Sequence, residues 1–387
     1  LLFQVPGGWF GNLVGTRWGL TVIGILWSLL TLATAFCHAL MPLSIVRFLF
    51  GAVQAGYVPI TAKIIKDWFP EKEIGMASAV VGISMSIGGA LAMDVTGRLT
   101  DHFDWRVIFQ IYTIVGLFWA IAFLLLFPRR NADRPGVNQA ELPVGKDVPS
   151  QPTRAGHNLI TMVVLGSLIA ICLQSFFRAA GYNFFVTFFP EYLMEHYEVS
   201  LGDAGKYAKW PLVGVVVGGL VGGALVDLVY RRTQNKWLSR SLISALALFT
   251  TAAFTFFAFY ASSPTGFIWL IGIGAACSGI GSPAAWAAMI DIGGRKIAMV
   301  AGFINMIGCF SGVLVTPVLG GMMDILKDDL ASQTVTFGIP TTAFSWDFEL
   351  SGQVVTDWSQ VVWMHATFYL AAAVLWLMVR PSKPLYD

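Results

Sequence analysis

Two arginines stand inside apolar stretches of this 387-residue chain: Arg47, which opens RFLFGAVQAGYVPITAKIIKDWFP (47–70), and Arg178, within the apolar run 159–189. A guanidinium in an apolar span is costly, so it points to a polar cavity or a ligand. Its planar fork of donors suits a carboxylate or a phosphate. Gln54 follows Arg47 by seven residues, about two helical turns and roughly 10 Å along the same face. Arg47 and Gln54 therefore make one polar stripe, and Gly51, Ala52, Ala55 and Gly56 beside it would let neighbouring helices approach closely. Arg178 is followed by Gly181, Tyr182 and Asn183, further polar groups for a bound anion. Each arginine has a plainer reading. Arg47 could snorkel to the nearer interface, since Met41 and Pro42 lie only a turn or two before it. Arg178 could pair within its own half of the chain. His365, inside the last apolar run, reads as an interhelical donor.

The elements that must position these residues are membrane helices. Hydrophobic residues make up 56% of the chain and charged ones only 12%, too apolar a balance for a soluble protein. Apolar runs of about 20 residues, enough to cross a bilayer, recur along nearly the whole sequence. They are expected at 20–40, across the Arg47 stretch, and at 76–97, 107–127, 159–189, 207–230, 241–260, 266–290, 299–323 and 361–378. Gly82, Gly88 and Gly89 suggest close helix packing in the 76–97 span. Gly7–Gly19 (GGWFGNLVGTRWG) reads as a glycine-rich turn, and Pro70 with three flanking charges ends the Arg47 helix. The chain opens on LLFQVPGGWF without an initiator methionine, as the tail of a helix, so an upstream span is expected.

Residues 129–157 are polar and proline-rich and read as a solvent-exposed linker between two halves. The stretch 324–357 reads as a long polar loop. Lysines and arginines concentrate on alternate loops: Arg17; Lys63, Lys66 and Lys72; the 129–157 linker; Arg231 to Arg240; Arg295 and Lys296; Arg380 and Lys383. The opposite loops hold only Arg98, Arg106, Lys206, Lys209 and Lys327. The positive-inside rule then places the linker and C-terminus in the cytoplasm and the 324–357 loop outside. On that cytoplasmic side GGWFGNLVGTR and GGALVDLVYRR (222–232) set glycines, a polar residue and an arginine at matching offsets, one copy per half. Gly8, Asn12, Arg17, Asp227 and Arg231 are thus candidate gating residues, with Asp227 and Arg231 able to form ion pairs that close this face.

Other function classes find no support. The formal charge of +2 carries no basic tract for nucleic acid. Cys37, Cys172, Cys277 and Cys309 are scattered singly with no metal spacing. P-loop, HExxH and GxSxG motifs are absent, so no enzyme, metal or cofactor is expected.

Across nearly all spans the chain resembles the major facilitator superfamily, and within it the anion:cation symporter family of sugar-acid and organic-anion carriers. The resemblance is carried by LFQVPGGWF, RFLFGAVQAG with WFPEKE, FFPEYL (188–193), GGALVDLVYRR and AGFINMIGCFSGVLVTPVLGG (301–321). It implies an all-α polytopic fold of two six-helix bundles, with the first helix absent from this chain, the second partial and ten complete. The bundles would comprise residues 1–128 and 158–387, joined by the 129–157 linker. Arg47 and Arg178, in opposite bundles, would then be two cationic anchors around a central cavity, to which Trp286 and Asn305 match lining positions. The function implied is secondary transport of a sugar acid or other small carboxylate by alternating access, with proton symport. The setting implied is the lipid bilayer of a bacterial inner membrane, as a monomer. Two departures matter. Gln54 stands where the family has a glutamate linked to proton coupling, and it cannot titrate. Asn12 stands where the family has an aspartate, which weakens an ion-pair gate in the first half. A coupling acid could lie on the absent helix or be Asp94, although Asp94 also has Arg98 one turn away as an ordinary partner. The alternatives left open are an organophosphate:phosphate antiporter, an uncoupled facilitator, and a transporter-like receptor that binds without moving its ligand.

Overall fold

The structure, a computed structural model, describes residues 2–127, 157–328, 330–338, 345–352 and 355–381, without the side chains of 90, 93, 94, 157–164, 185, 186, 201, 202, 338, 345 and 346. The expected linker therefore lies outside the described residues. In chain order the helices are α1 (Gln4–Val14), α2 (Thr16–Ala35), α3 (Leu40–Gln54), α4 (Tyr57–Trp68), α5 (Ile74–Thr100) and α6 (Trp105–Leu126). They continue with α7 (His157–Asn183), α8 (Phe189–Tyr197), α9 (Leu201–Thr233), α10 (Ile243–Ala258), α11 (Pro264–Gly293) and α12 (Ile297–Asp328). Strands β1 (Ser332–Gly338) and β2 (Ser345–Ser351) precede α13 (Ser359–Met378). Among the described residues, eight apolar helical stretches are long enough to cross a membrane, one of them, Pro264–Asp328, holding both α11 and α12; α5 adds a shorter apolar segment. The chain divides into two compact units. One holds residues 1–165 with Trp286–Met306, and the other holds Gly166–Ala285 with Ile307–Arg380.

In the first unit the glycines expected to make a turn at 7–19 instead lie mostly in helix α1. They serve close packing. A Cβ at Gly7 would sit 2.6 Å from the Gly56 Cα, and one at Gly8 would overlap the Ala298 carbonyl. Only Gly15, at φ +84°, breaks the chain, a left-handed conformation that costs glycine nothing. The Arg47 helix is likewise interrupted, at Ala55–Gly56 between α3 and α4. It ends where expected: Phe69 is extended because the ring of Pro70 disfavours helix in the residue before it. The expected packing role of Gly82, Gly88 and Gly89 fails, since a Cβ at any of them meets nothing within 4 Å among the described residues.

In the second unit α9 and α11 approach along a four-residue glycine ladder. A Cβ at Gly214 would lie 2.5 Å from the Gly272 carbonyl, and Gly218 and Gly222 face Ala276 and Ile280 in the same way. Lipid tails are as apolar as leucine, so helices in a membrane associate through such close backbone contact rather than through hydrophobic exclusion. The stretch expected as an irregular polar loop differs at both ends. Helix α12 runs on to Asp328, and an antiparallel hairpin follows, pairing Val335 with Phe348 and Thr336 with Asp347. Val335 and Leu350 rest against Gly321 of α12, so the hairpin is a cap folded onto a helix end.

Two predictions follow from this packing. Gly218→Val is expected to lower the thermal unfolding midpoint of the purified protein, by about 1–3 kcal/mol or more of overpacking cost. Gly205→Ala on the same helix, with open space around it, should leave the midpoint unchanged or raise it. At the start of α13 the Asp357 carboxylate accepts from the Ser359 N–H at 3.0 Å. That hydrogen bond and one with the Ser359 side chain hold the Asp357 pKa below the ordinary carboxylate value. A depressed pKa gives stability present above the unfolded value and lost as pH falls through the folded one. Asp357→Ala should therefore cost about 1 kcal/mol near neutral pH and less at about pH 3, read by thermal melts at both pH values.

Candidate functional site

The second unit gathers polar groups on the last three turns of α7. Gln174, Arg178 and Tyr182 recur at four-residue spacing and so share a face. The Nε of Arg178 is buried with no hydrogen-bond partner among the described residues. The groups acting on its charge are the phenols of Tyr369 and Tyr182. A phenol ordinarily titrates near about 10, so neither supplies an anion at neutral pH. Gln174 donates from Nε2 to the Ile171 carbonyl at 3.0 Å while its Oε1 is buried and unpartnered. The Nδ2 of Asn183 is also buried and unpartnered. Buried polar groups are normally satisfied, and each orphan costs about 1–3 kcal/mol. Three on ten residues of one helix mark a place built for something other than stability.

Close packing holds this segment. Gly181 admits the ring of Tyr369, which a Cβ at Gly181 would meet at 2.8 Å. Tyr369 is wholly buried on α13, and its hydroxyl reaches Ser278 of α11. One turn earlier on α13, His365 is also wholly buried, with its ring 4.2 Å from that of Phe184. Its Nδ1 lies 3.1 Å from the Val361 carbonyl, and the Gly181 backbone of α7 also acts on the ring. Phe184 begins a π-helical turn, Phe184–Phe188, that joins α7 to α8. Such turns occur mostly as isolated insertions, often at functional sites.

In the first unit Arg47 is exposed on α3, a helix that buries none of its side chains. Its guanidinium lies 5.2 Å from the Phe109 ring centre and 5.7 Å from that of Phe50, a cation–π setting among the described residues. Gln54, at the end of α3, is exposed as well. Asn305 donates to the Gln4 side-chain oxygen at 2.8 Å, an interhelical amide pair. Trp286 is half-buried on α11. The Asp94 side chain lies outside the described residues.

The two candidate gating motifs fold differently. The first is split by Gly15, with Gly8 packed on Ala298, Asn12 exposed, and Arg17 donating from Nε to the Leu124 carbonyl at 3.1 Å. That carbonyl belongs to the last turn of α6, where a cation meets the negative end of the helix dipole. The second motif runs unbroken to Thr233, with Asp227 buried and Arg231 exposed. Sequence reading passed over Gln174, Ser278 and Tyr369. The spacing of Gln174 to Arg178 and of His365 to Tyr369, four residues each within apolar runs, was the available signal.

Comparison with known proteins agrees with this architecture. Residues 1–316 match the Major Facilitator Superfamily. The hexuronate transporter of Bacillus subtilis (strain 168) is 24% identical over 333 residues, covering 84% of this chain and 76% of that one. The probable galactarate/D-glucarate transporter GudP of Escherichia coli (strain K12) is 27% identical over 352 residues, covering 82% and 74%. Among solved structures, a variant of the E. coli fucose:proton symporter FucP superposes with a TM-score of 0.62 at 12% identity, covering 97% of this chain and 87% of that one. These relatives are membrane transporters and not enzymes, as the apolar spans and the motifs had implied. With the family matched across more than three quarters of its length and membrane-crossing helices throughout, this chain is a multi-pass integral membrane protein belonging to the Major Facilitator Superfamily.

Proposed function

We propose that this protein carries a small organic anion, a sugar acid or a related carboxylate, across the membrane by alternating access, with protons as the coupling ion. The observation that carries the reading is Arg178, a guanidinium with a buried, unpartnered Nε in a membrane helix, acted on by phenols. A permanent cation in that setting gains most from an anionic ligand, and a bidentate carboxylate matches its donors. The curated relatives support the substrate class, since their names are those of hexuronate and galactarate/D-glucarate carriers. In this reading Arg178, Tyr182 and Asn183 bind the anion from the 158–387 bundle. Arg47 and Gln54 act from the 1–128 bundle, and Trp286 and Asn305 complete the lining. Gly8, Asn12, Arg17, Asp227 and Arg231 serve the cytoplasmic gate, and Asp94 is a further acid open to coupling. The protein sits as a monomer in a bacterial inner membrane, with the linker and C-terminus in the cytoplasm. Proton coupling has a precedent among the structural neighbours in FucP, a fucose:proton symporter.

Gln54 favours a second reading. An amide does not titrate, so transport without a proton gradient, by anion exchange or by facilitated passage, is the rival mechanism. Uptake of D-glucarate and D-glucuronate by purified protein in proteoliposomes separates the two. Uptake stimulated by an inward proton gradient supports symport. Uptake indifferent to the gradient but driven by internal anion supports exchange, and binding without flux makes the protein a receptor.

Arg178→Ala is expected to abolish uptake, and Arg178→Lys to reduce it about tenfold or more, since a lysine keeps the charge but loses the paired donors. Arg47→Ala should also abolish uptake while leaving membrane insertion and monodispersity intact. Unchanged uptake in either alanine variant would return that arginine to a structural role.

A further inference from the structure

We propose that His365 is the proton-carrying residue of transport, taking up one proton as an anion engages Arg178; this rests on the anion-transport reading above. His365 is 0% exposed, so it neither faces lipid nor reaches an interface. Its ring is set against two backbone groups, the Val361 carbonyl of its own helix at 3.1 Å from Nδ1 and the Gly181 backbone of α7. A carbonyl oxygen only accepts. A neutral imidazole carries one N–H and can donate to one such oxygen, whereas an imidazolium donates from both nitrogens and can bond both. Protonation therefore adds a charge-assisted hydrogen bond between α13 and α7. No other bond changes, and the proton returns to water when the anion leaves.

The contact lies where α7 is most sensitive. Gly181 stands three residues after Arg178 and one before Tyr182, and its missing side chain is what lets the Tyr369 ring cross α7 at this level. The histidine ring also touches Phe184, the first residue of the π-helical turn. A change of charge at His365 thus acts on the segment that presents Arg178. The charged or titratable groups on the elements beside it are Arg178 and Tyr182 on α7, Tyr369 on α13, and Tyr192 of α8 behind Phe184. Helix α10, which packs along α13, has no titratable side chain. A second positive charge on the helix pair that carries Arg178 is disfavoured until an anion neutralises the guanidinium. Proton and anion consequently favour each other's binding, and by linkage the effect is reciprocal. Gln54 then needs no proton of its own.

The test uses full-length protein in proteoliposomes with labelled D-glucarate and D-glucuronate. Wild-type protein should exchange an anion and accumulate it with an inward proton gradient, by about tenfold per pH unit for one coupled proton. In His365→Gln and His365→Asn the ratio of gradient-driven to exchange uptake should fall to about one, with exchange still measurable. A ratio equal to wild type overturns the assignment while leaving transport intact. Wild-type transport that ignores the gradient does the same. Absence of both exchange and binding for these anions removes the transport reading itself. If neither variant folds, proton uptake by wild-type protein on mixing with anion in weakly buffered detergent solution decides. About one proton per bound anion supports the role, and none overturns it.

Discussion

A positive charge held in an apolar helix, with phenols rather than a carboxylate acting on it among the described residues, is the constraint around which the second unit is arranged. Lysine and arginine near helix ends can extend to the interface, but the Arg178 Nε is buried, so at least the base of the guanidinium is committed to the interior. Phenols ease the charge by dipole without cancelling it. Had a carboxylate taken that place, the pair would resist an incoming anion. Neutral neighbours leave the attraction available to a ligand. The same choice recurs at Arg47, where the aromatic faces of Phe50 and Phe109 take the position an acid could have held.

Such a charge can be held only if the helices around it are rigid, and here rigidity comes from absent side chains. Gly181 seats the ring of Tyr369, Gly308 lies against Ser175, and the Gly214–Gly218–Gly222 ladder brings α9 onto α11. In lipid these contacts replace the hydrophobic drive that packs a soluble core. Tyr369 shows how packing and polarity are joined. Its ring fills the space over Gly181 while its hydroxyl reaches Ser278, tying α7, α11 and α13 together beside Arg178. The first unit uses glycine in the same way at Gly7, Gly8 and Gly11. Its polar ties include several at helix ends, such as Arg17 on the Leu124 carbonyl and Lys66 on the Gly294 carbonyl.

In the proposed carrier, an amide at Gln54 that does not titrate moves proton coupling to another residue. A proton carrier near a cationic anchor must be able to change charge and must transmit that change to the anchor. His365 meets the first requirement by its chemistry and the second through Gly181, which belongs to the helix that carries Arg178. An acid facing Arg178 directly would compete with the substrate. In the proposed mechanism a histidine one helix away acts through geometry and field instead, and leaves the anion's place open.

The sequence by itself determined the class of protein and the order of its apolar spans, and it singled out two arginines for attention. These follow from composition, from run length against bilayer thickness, and from the rarity of charge in apolar helices, all of which are local properties of the chain. It also misread glycine. The run at 7–19 looked like a turn and is helical packing surface, whereas Gly82, Gly88 and Gly89 looked like packing surface and face open space among the described residues. A glycine's role depends on what stands opposite, which its own neighbours in sequence do not specify. Ser278 and the backbone groups beside His365 were out of reach for the same reason, and Gln174 and Tyr369 were marked only by their spacing from Arg178 and His365. The hairpin at 332–351 was read as loop because its polar strands carry little periodic signal until Val335 and Leu350 meet Gly321. Tertiary structure alone decided which polar atoms in the membrane are satisfied and which are left over, because satisfaction is a property of pairs brought together from distant parts of the chain.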